Sequence, residues 1–336
     1  MAIFLFFSQS IFNDLAFFVL LFQLYARSIM TIYYNRRIKQ LIYLIFKVYS
    51  NLDLYIAVIS QIPYSKRIIS LFQAWGEEFA NKSGSMIKIF TLFNETNSTY
   101  IPLKYWKYIT VKGLRFSSYS YRLVYYLNFA SAHDFFKNTN LRWYLRTTYD
   151  NYIHLPNLYK FIEKLNSQYD PETEIVMKGD HIGYFIHGGP GWIMSRYAVK
   201  KYIDIEKQMT ENYNSFKNAD DENIMMFVNE YRLLYNNIYT PQFSGWPVKD
   251  SSYQQLIQSN FSYSKIIFPC RKNLHPKKVN KLVVWHNGRK KDYVNTIGKR
   301  IINEAPDNLG IHYHLHTGGE FCIFSKSIDY GDDSFI

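Results

Sequence analysis

Short apolar runs bounded by polar residues alternate with longer segments of helical spacing along most of this chain. LDLYIAVIS (Leu52–Ser60) reads as a buried strand, a short β-branched apolar run bounded by polar residues, and MIKIFTLF (Met86–Phe93), the centre of YWKYITVKG and LRWYLRTT read as further strands. Between them, SKRIISLFQAWGEEF (Ser65–Phe79) places Ile68, Ile69, Phe72 and Trp75 at helical spacing behind a Ser65 N-cap. YSYRLVYYLNFASAHDFF (Tyr119–Phe136) predicts a second helix with Leu123, Tyr126, Leu127 and Ala130 on its apolar face. LPNLYKFIEKL (Leu155–Leu165) predicts a third, with Pro156 in the first turn, where a missing N–H costs nothing. Strand–helix–strand alternation of this kind predicts an α/β layer with a mostly parallel sheet.

Farther along, YFIHGGPGWIMS (Tyr184–Ser195) sets Gly188, Gly189 and Gly191 between an apolar strand and the helix RYAVKKYIDI. Glycines there serve a plain turn or let backbone approach a ligand closely. NADDENIMMFVNEY (Asn218–Tyr231) opens a helix with Asp220, Asp221 and Glu222, where carboxylates also suit the helix dipole. The chain beyond Lys249 alternates short strands and polar loops. Asp150 follows the strand LRWYLRTT and precedes the third helix, and the carboxyl ends of strands are where open α/β sheets bind ligands.

Composition and charge narrow the field. The 336 residues include 31 Tyr and 26 Phe, a bias shared with Ile, Asn and Lys, so aromatic clusters are not by themselves binding platforms. A net charge of +12 is spread along the chain with no zinc-finger spacing and no long basic block, so no nucleic-acid partner is expected. Cys270 and Cys322 cannot make a four-cysteine metal site, and their spacing leaves a pairing open. Ala2–Tyr25 has the length and apolarity of a membrane span and reads as an uncleaved signal-anchor, giving an anchor and stem over residues 1–50 and a folded domain over 51–336. Basic residues follow the span (Arg27, Arg36, Arg37, Lys39), which argues for a cytosolic domain; sequons at Asn81, Asn94, Asn97 and Asn260 lean toward a lumenal one. A start at Met30, before a shorter apolar run from Leu41 to Tyr49, is the alternative.

Four blocks, in order across about Leu54 to Phe227, resemble the inverting β1,3-glycosyltransferases of the fringe and core 1 galactosyltransferase type. YIAVISQIPYSKRIISLFQAWG resembles their first strand and helix, with Ala74 for a threonine. WYLRTTYDNYIHLPNL resembles the segment bearing an Asp-rich metal motif; Asp150 matches the last acid, and Thr148 and Tyr149 stand where two others belong. HGGPGWIMSRYAV is similar to a Gly-Gly-Ala-Gly block, and ADDENIMMF to an acidic block in which Met225 replaces a glycine.

The resemblance implies a GT-A (Rossmann-like) domain behind a type II anchor in the Golgi or endoplasmic reticulum membrane. It implies a UDP-sugar donor, Mn²⁺ or Mg²⁺, and a glycan or glycoprotein acceptor. Asp221 would be the catalytic base, Arg67 a nucleotide contact, Gly188, Gly189 and Gly191 the loop approaching the sugars, and Asp150 a metal ligand. His286 in KLVVWHNG would be a second metal ligand, while PQFSGWP offers Ser244 where another histidine is expected. Outside the resemblance, His312, His314 and His316 alternate along one strand and form a rival metal candidate. With the acid motif incomplete, a carbohydrate- or UDP-binding protein without turnover is the second reading, and a basic nucleic-acid binder the third.

Overall fold

A run of seven apolar or small residues has no solvent face to offer, and Leu54–Ser60 (β1) is buried at every position. The computed structural model describes residues 52–60, 65–92, 101–112, 121–182, 185–212, 220–244, 265–269, 277–278, 281–286, 302–303, 310–316 and 319–325. The expected anchor, the alternative start at Met30, the sequons at Asn94, Asn97 and Asn260, and Cys270 lie outside them. Among the described residues no helix is long and apolar enough to cross a membrane.

After β1 the helical path α1 runs through Ser65–Leu71, a π-helical turn Phe72–Gly76 and Glu77–Ala80. Then come β2 (Ser85–Leu92), α2 (Leu103–Trp106), β3 (Ile109–Lys112), α3 (Tyr121–Asn138) and β4 (Trp143–Thr148). The middle of the chain holds β5 (Asn151–Ile153), α4 (Leu155–Gln168), β6 (Met177–Gly179) and the small hairpin β7 (His181–Ile182) and β8 (Phe185–Ile186). β9 (Trp192–Ser195), α5 (Arg196–Asp204), α6 (Glu206–Asn212), α7 (Asp220–Glu230) and α8 (Tyr235–Ile238) follow.

The main sheet has the order β3-β2-β1-β4-β9-β6. Its first four strands are parallel, and β9 runs antiparallel to both β4 and β6. Successive residues of β1 therefore feed two cores. Leu54, Ile56 and Val58 pack with Phe72 and Trp75 of α1 and Leu158 and Ile162 of α4. Tyr55, Ala57 and Ile59 pack with Phe129 and Phe135 of α3, Val199 of α5 and Phe227 of α7. Burying each large side chain contributes about 1.5–3 kcal/mol, which is why β1, covered on both faces, carries no polar alternation.

On the second of these faces a polar cluster fastens α3 to the sheet. Tyr55 Oη donates to Asp134 Oδ2 at 2.6 Å, and Lys88 Nζ reaches both carboxylate oxygens at 2.8 and 3.0 Å. Burial pushes the Asp134 carboxyl up, but hydrogen bonds from Lys88, Tyr55 and Asn138 together outweigh it and hold the group below its ordinary value. Beside it, Ser131 Oγ and Tyr144 Oη share a hydrogen bond of 2.7 Å, and the Tyr55 and Tyr144 rings stack with centroids 6.0 Å apart.

Three expectations change. The glycine segment leads into β9 rather than directly into a helix; Trp192–Ser195 is a four-residue strand buried throughout, too short for periodicity to register. Asp150 is likewise separated from α4 by β5, which joins a second sheet of order β10-β13-β5 with β10 (Phe243–Ser244) and β13 (Val284–His286). Finally, Tyr126 is not in the α3 core: it is 41% exposed, whereas the flanking Tyr125 and Leu127 are buried. The buried face of α3 includes Asn128 and Ser131, so an apolar-only reading rotates it. A third sheet, β11-β15-β14-β12, is formed by Lys265–Pro269, Gly319–Ser325, Gly310–His316 and Lys277–Lys278. His312, His314 and His316 occupy alternate positions of β14, opposite Ile323, Phe321 and Gly319 of β15.

Candidate functional site

The sheet is built outward from β1 through β2 to β3, and α3 then returns the chain to the other side of β1. The strand order thus reverses between β1 and β4, and the register Ile59↔Thr148 sets their carboxyl ends side by side. A crevice at such a switch point is where open α/β sheets bind ligands. Three stretches far apart in the chain line this edge: α1, the turn after β4 together with β5, and the glycine segment after β8.

Arg146, in the last half of β4, is buried to 1% exposure within an otherwise apolar run. Its guanidinium donates through Nε to Asn128 Oδ1 at 3.0 Å and through Nη1 to the Gly188 carbonyl, and Cζ lies 4.6 Å from the Trp192 ring centroid. The next carbonyl of the loop, that of Gly189, accepts from Asn151 Nδ2 at 2.8 Å and lies 3.0 Å from Thr148 Oγ1. Asn151 Nδ2 also donates to Thr147 Oγ1 at 2.6 Å, and its own carbonyl accepts from Trp75 Nε1 at 3.1 Å. The glycine loop is therefore held by its backbone carbonyls against the end of β4. Gly191 has a φ of +83°, and a Cβ there would lie 1.8 Å from the Arg146 carbonyl oxygen. No other residue fits that position. At the loop's entry, His187 N–H donates to the Asp180 carbonyl at 2.9 Å, with the buried Asp180 carboxylate 3.9 Å from His187 Nδ1.

On the outer rim Arg67 Nη1 donates to Tyr149 Oη at 2.7 Å, with Cζ 4.9 Å from that ring's centroid. Thr148 Oγ1 is 2.6 Å from Asp150 Oδ1, so its single proton is shared between Asp150 and the Gly189 carbonyl. Arg67, Asp150 and the three glycines expected from sequence thus fall on one edge. His286 pairs in register with Asn151, the residue after Asp150, on the antiparallel neighbour β13. Asp221 occupies the first turn of α7, whose Ile224, Phe227 and Val228 share a core with Ile186, the last residue before the loop begins.

Sequence reasoning passed over Arg146, Asn151 and Asn128. The available signal was a charge inside a buried strand and amides inside apolar segments, each of which demands a partner. Among the described residues no three His, Cys, Asp or Glu side chains come together to hold a metal. The acid and imidazole expected from sequence to be metal ligands, Asp150 and His286, are not partners in this register, which sets His286 opposite Asn151.

No family model matches the sequence, and no curated protein matches it. Among solved structures, a glycosyltransferase involved in glycosylation of the major capsid of PBCV-1 is 16% identical over 55% of this chain and 79% of its own, with a TM-score of 0.33. The galactosyltransferase LgtC, solved with donor and acceptor sugar analogs, is 11% identical over 55% of this chain and 73% of its own, at 0.35. GlyE of Streptococcus pneumoniae TIGR4, a glycosyltransferase, is 11% identical over 55% of this chain and 44% of its own, at 0.31. Similarity at this level defines neither fold nor activity, which rest on the topology and the site geometry.

Proposed function

We propose that the chain is a glycosyltransferase of the GT-A type that binds a UDP-sugar at the β1–β4 edge. The observation that carries this is the convergence of Arg67, Asp150 and the carbonyl-pinned glycine loop at the switch point, joined to the four sequence blocks that resemble the fringe and core 1 enzymes. In this reading Arg67 faces the anionic nucleotide, and Gly188, Gly189 and Gly191, which carry no side chain, let backbone approach the sugars. Asp150 and His286 would hold Mn²⁺ or Mg²⁺ together with the diphosphate; when bound, the ion offsets charge on the leaving group. Asp221 takes the proton of the acceptor hydroxyl as its oxygen bonds to the anomeric carbon. The carbon–oxygen bond to the diphosphate breaks on the opposite face, UDP departs, and the configuration inverts. The acceptor is a glycan or glycoprotein, and residues 1–50 would tether the domain to an endomembrane.

A transfer and hydrolysis screen over UDP-sugars, repeated with and without Mn²⁺, tests the reading. Asp221→Asn is expected to lower turnover about 10²-fold or more while leaving UDP affinity in place. Asp150→Ala is expected to remove the Mn²⁺-dependent part of UDP binding. If neither substitution moves turnover or binding, the assignment is wrong. A second reading, a UDP- or carbohydrate-binding protein without turnover, is favoured by Tyr149: it occupies an acid's position in the resembling motif and engages Arg67 directly. UDP binding that is unaffected by Mn²⁺, with no turnover for any donor, would select it.

A further inference from the structure

Away from the β1–β4 edge, a second cavity of about 280 Å³ lies between the C-terminal half of α4, the edge strand β6 and residues 236–242. Phe161 and Leu165, both buried, belong to its lining, together with Tyr169. Two cations enter it, Lys164 from α4 and Lys178 from β6, and among the described residues no acidic side chain lines it. Lys178 Nζ spends one donor on the Asn237 carbonyl at 2.5 Å and lies 5.4 Å from the Tyr169 ring centroid. Burial and then the neighbouring Lys178 charge push the Lys164 ammonium below its ordinary value. Holding two ammoniums at one apolar-backed hollow is unfavourable in the free protein, and an anion between them reverses the sign of that interaction. Each ammonium has three donors, so most of the pair's hydrogen-bonding capacity remains for a ligand.

The volume sets the scale. Cavities for drug-sized ligands begin at about 300 Å³, so this one suits a molecule near the size of one sugar rather than a polymer segment. We propose that the cavity binds the oxyanion group of a monosaccharide-sized molecule, a phosphate monoester or a carboxylate, between Lys164 and Lys178. The site is independent of the UDP-sugar reading: it shares no residue with the β1–β4 edge.

The test uses the full chain and measures binding by calorimetry and thermal shift, with glucose 6-phosphate, glucuronate, glucose, and sodium chloride at matched ionic strength. Glucose 6-phosphate or glucuronate is expected to bind and raise Tm beyond the salt control; whichever does so identifies the phosphate or the carboxylate as the preferred group. Lys164→Gln and Lys178→Gln are each expected to weaken that binding about tenfold or more, since each removes a charged donor. Lys164→Gln is expected to keep or raise the Tm of the free protein, because it relieves the repulsion, and to leave UDP affinity unchanged. Equal shifts from all four solutes, or binding that survives the double substitution, would overturn the proposal; the second result would locate the anion elsewhere, for example at the β1–β4 edge.

Discussion

Two polar assemblies flank β4, and they are built on opposite plans. Around Tyr144, the Tyr55–Asp134–Lys88 and Ser131–Tyr144 contacts join side chain to side chain and fasten a helix to the sheet. Around Arg146 and Thr148, side chains instead hold the backbone carbonyls of Gly188 and Gly189, and so fix a loop that has no core of its own. The first plan tolerates replacement, because a lost donor leaves others on the same carboxylate. The second does not, because the loop's path depends on each carbonyl meeting its donor.

Substitutions can break this contrast. The largest effect is expected from Gly191→Ala, which sets a methyl against the Arg146 carbonyl in a left-handed backbone conformation. Urea unfolding should show a loss of about 3 kcal/mol or more, and UDP binding should disappear with it. Arg146→Lys keeps the charge but cannot serve Asn128 and Gly188 from one planar group. It is expected to cost about 2 kcal/mol by the same measurement and to weaken UDP binding disproportionately, as the loop loosens. Asp134→Asn, in the other assembly, should cost about 1 kcal/mol and leave UDP affinity unchanged. Equal damage to binding from Asp134→Asn and Arg146→Lys would erase the distinction between the two.

Protonation sharpens the same comparison more gently. Asp134 has a folded pKa below its unfolded value, so its stabilisation is complete above the ordinary carboxylate range and is lost as pH falls through the folded pKa. Asp134→Asn should therefore flatten the acid limb of the stability profile below about pH 4. His154 caps α4: Nδ1 accepts from Asn157 N–H at 3.4 Å while Nε2 meets Asn303 Oδ1 at 2.9 Å, a pattern that requires the neutral ring. Burial lowers its pKa. The unfolded chain then takes up the proton first, so stability is full above about pH 6.5 and declines as pH falls from there toward the folded pKa. A small drop as pH falls below about 6.5 in thermal denaturation, absent in His154→Asn, is the expected signature.

Much of the parallel core was legible because its strands are rich in apolar, β-branched and aromatic residues: β1 is an uninterrupted run, and β2 and β4 stood out although each carries one cation, Lys88 and Arg146. The two short strands beside the site were not. Trp192–Ser195 directly follows glycines and Asn151–Ile153 directly precedes a helix, so each looked like part of its neighbour. The site's outline, Asp150 and the glycines at a strand's carboxyl end, could be read from position and resemblance. Its fastening could not: Arg146, Asn128 and Asn151 come from three elements, and only the fold reveals that their partners are carbonyls contributed by a fourth.

The π-helical turn at Phe72–Gly76 gives the rim an angular phase. Each α-helical residue turns the chain by about 100°, and a wider turn within α1 offsets Arg67, before it, against Trp75, near its end, and Phe79, after it. Both halves are thereby satisfied: Trp75 reaches the Asn151 carbonyl, while Arg67 meets Tyr149 on the rim. Deleting the exposed Gln73 would restore an unbroken α repeat and swing Arg67 roughly a quarter-turn around the helix axis relative to Trp75. The turn acts as a one-residue vernier: sequence length within α1, rather than the identity of any one side chain, sets the bearing of the cation at the crevice.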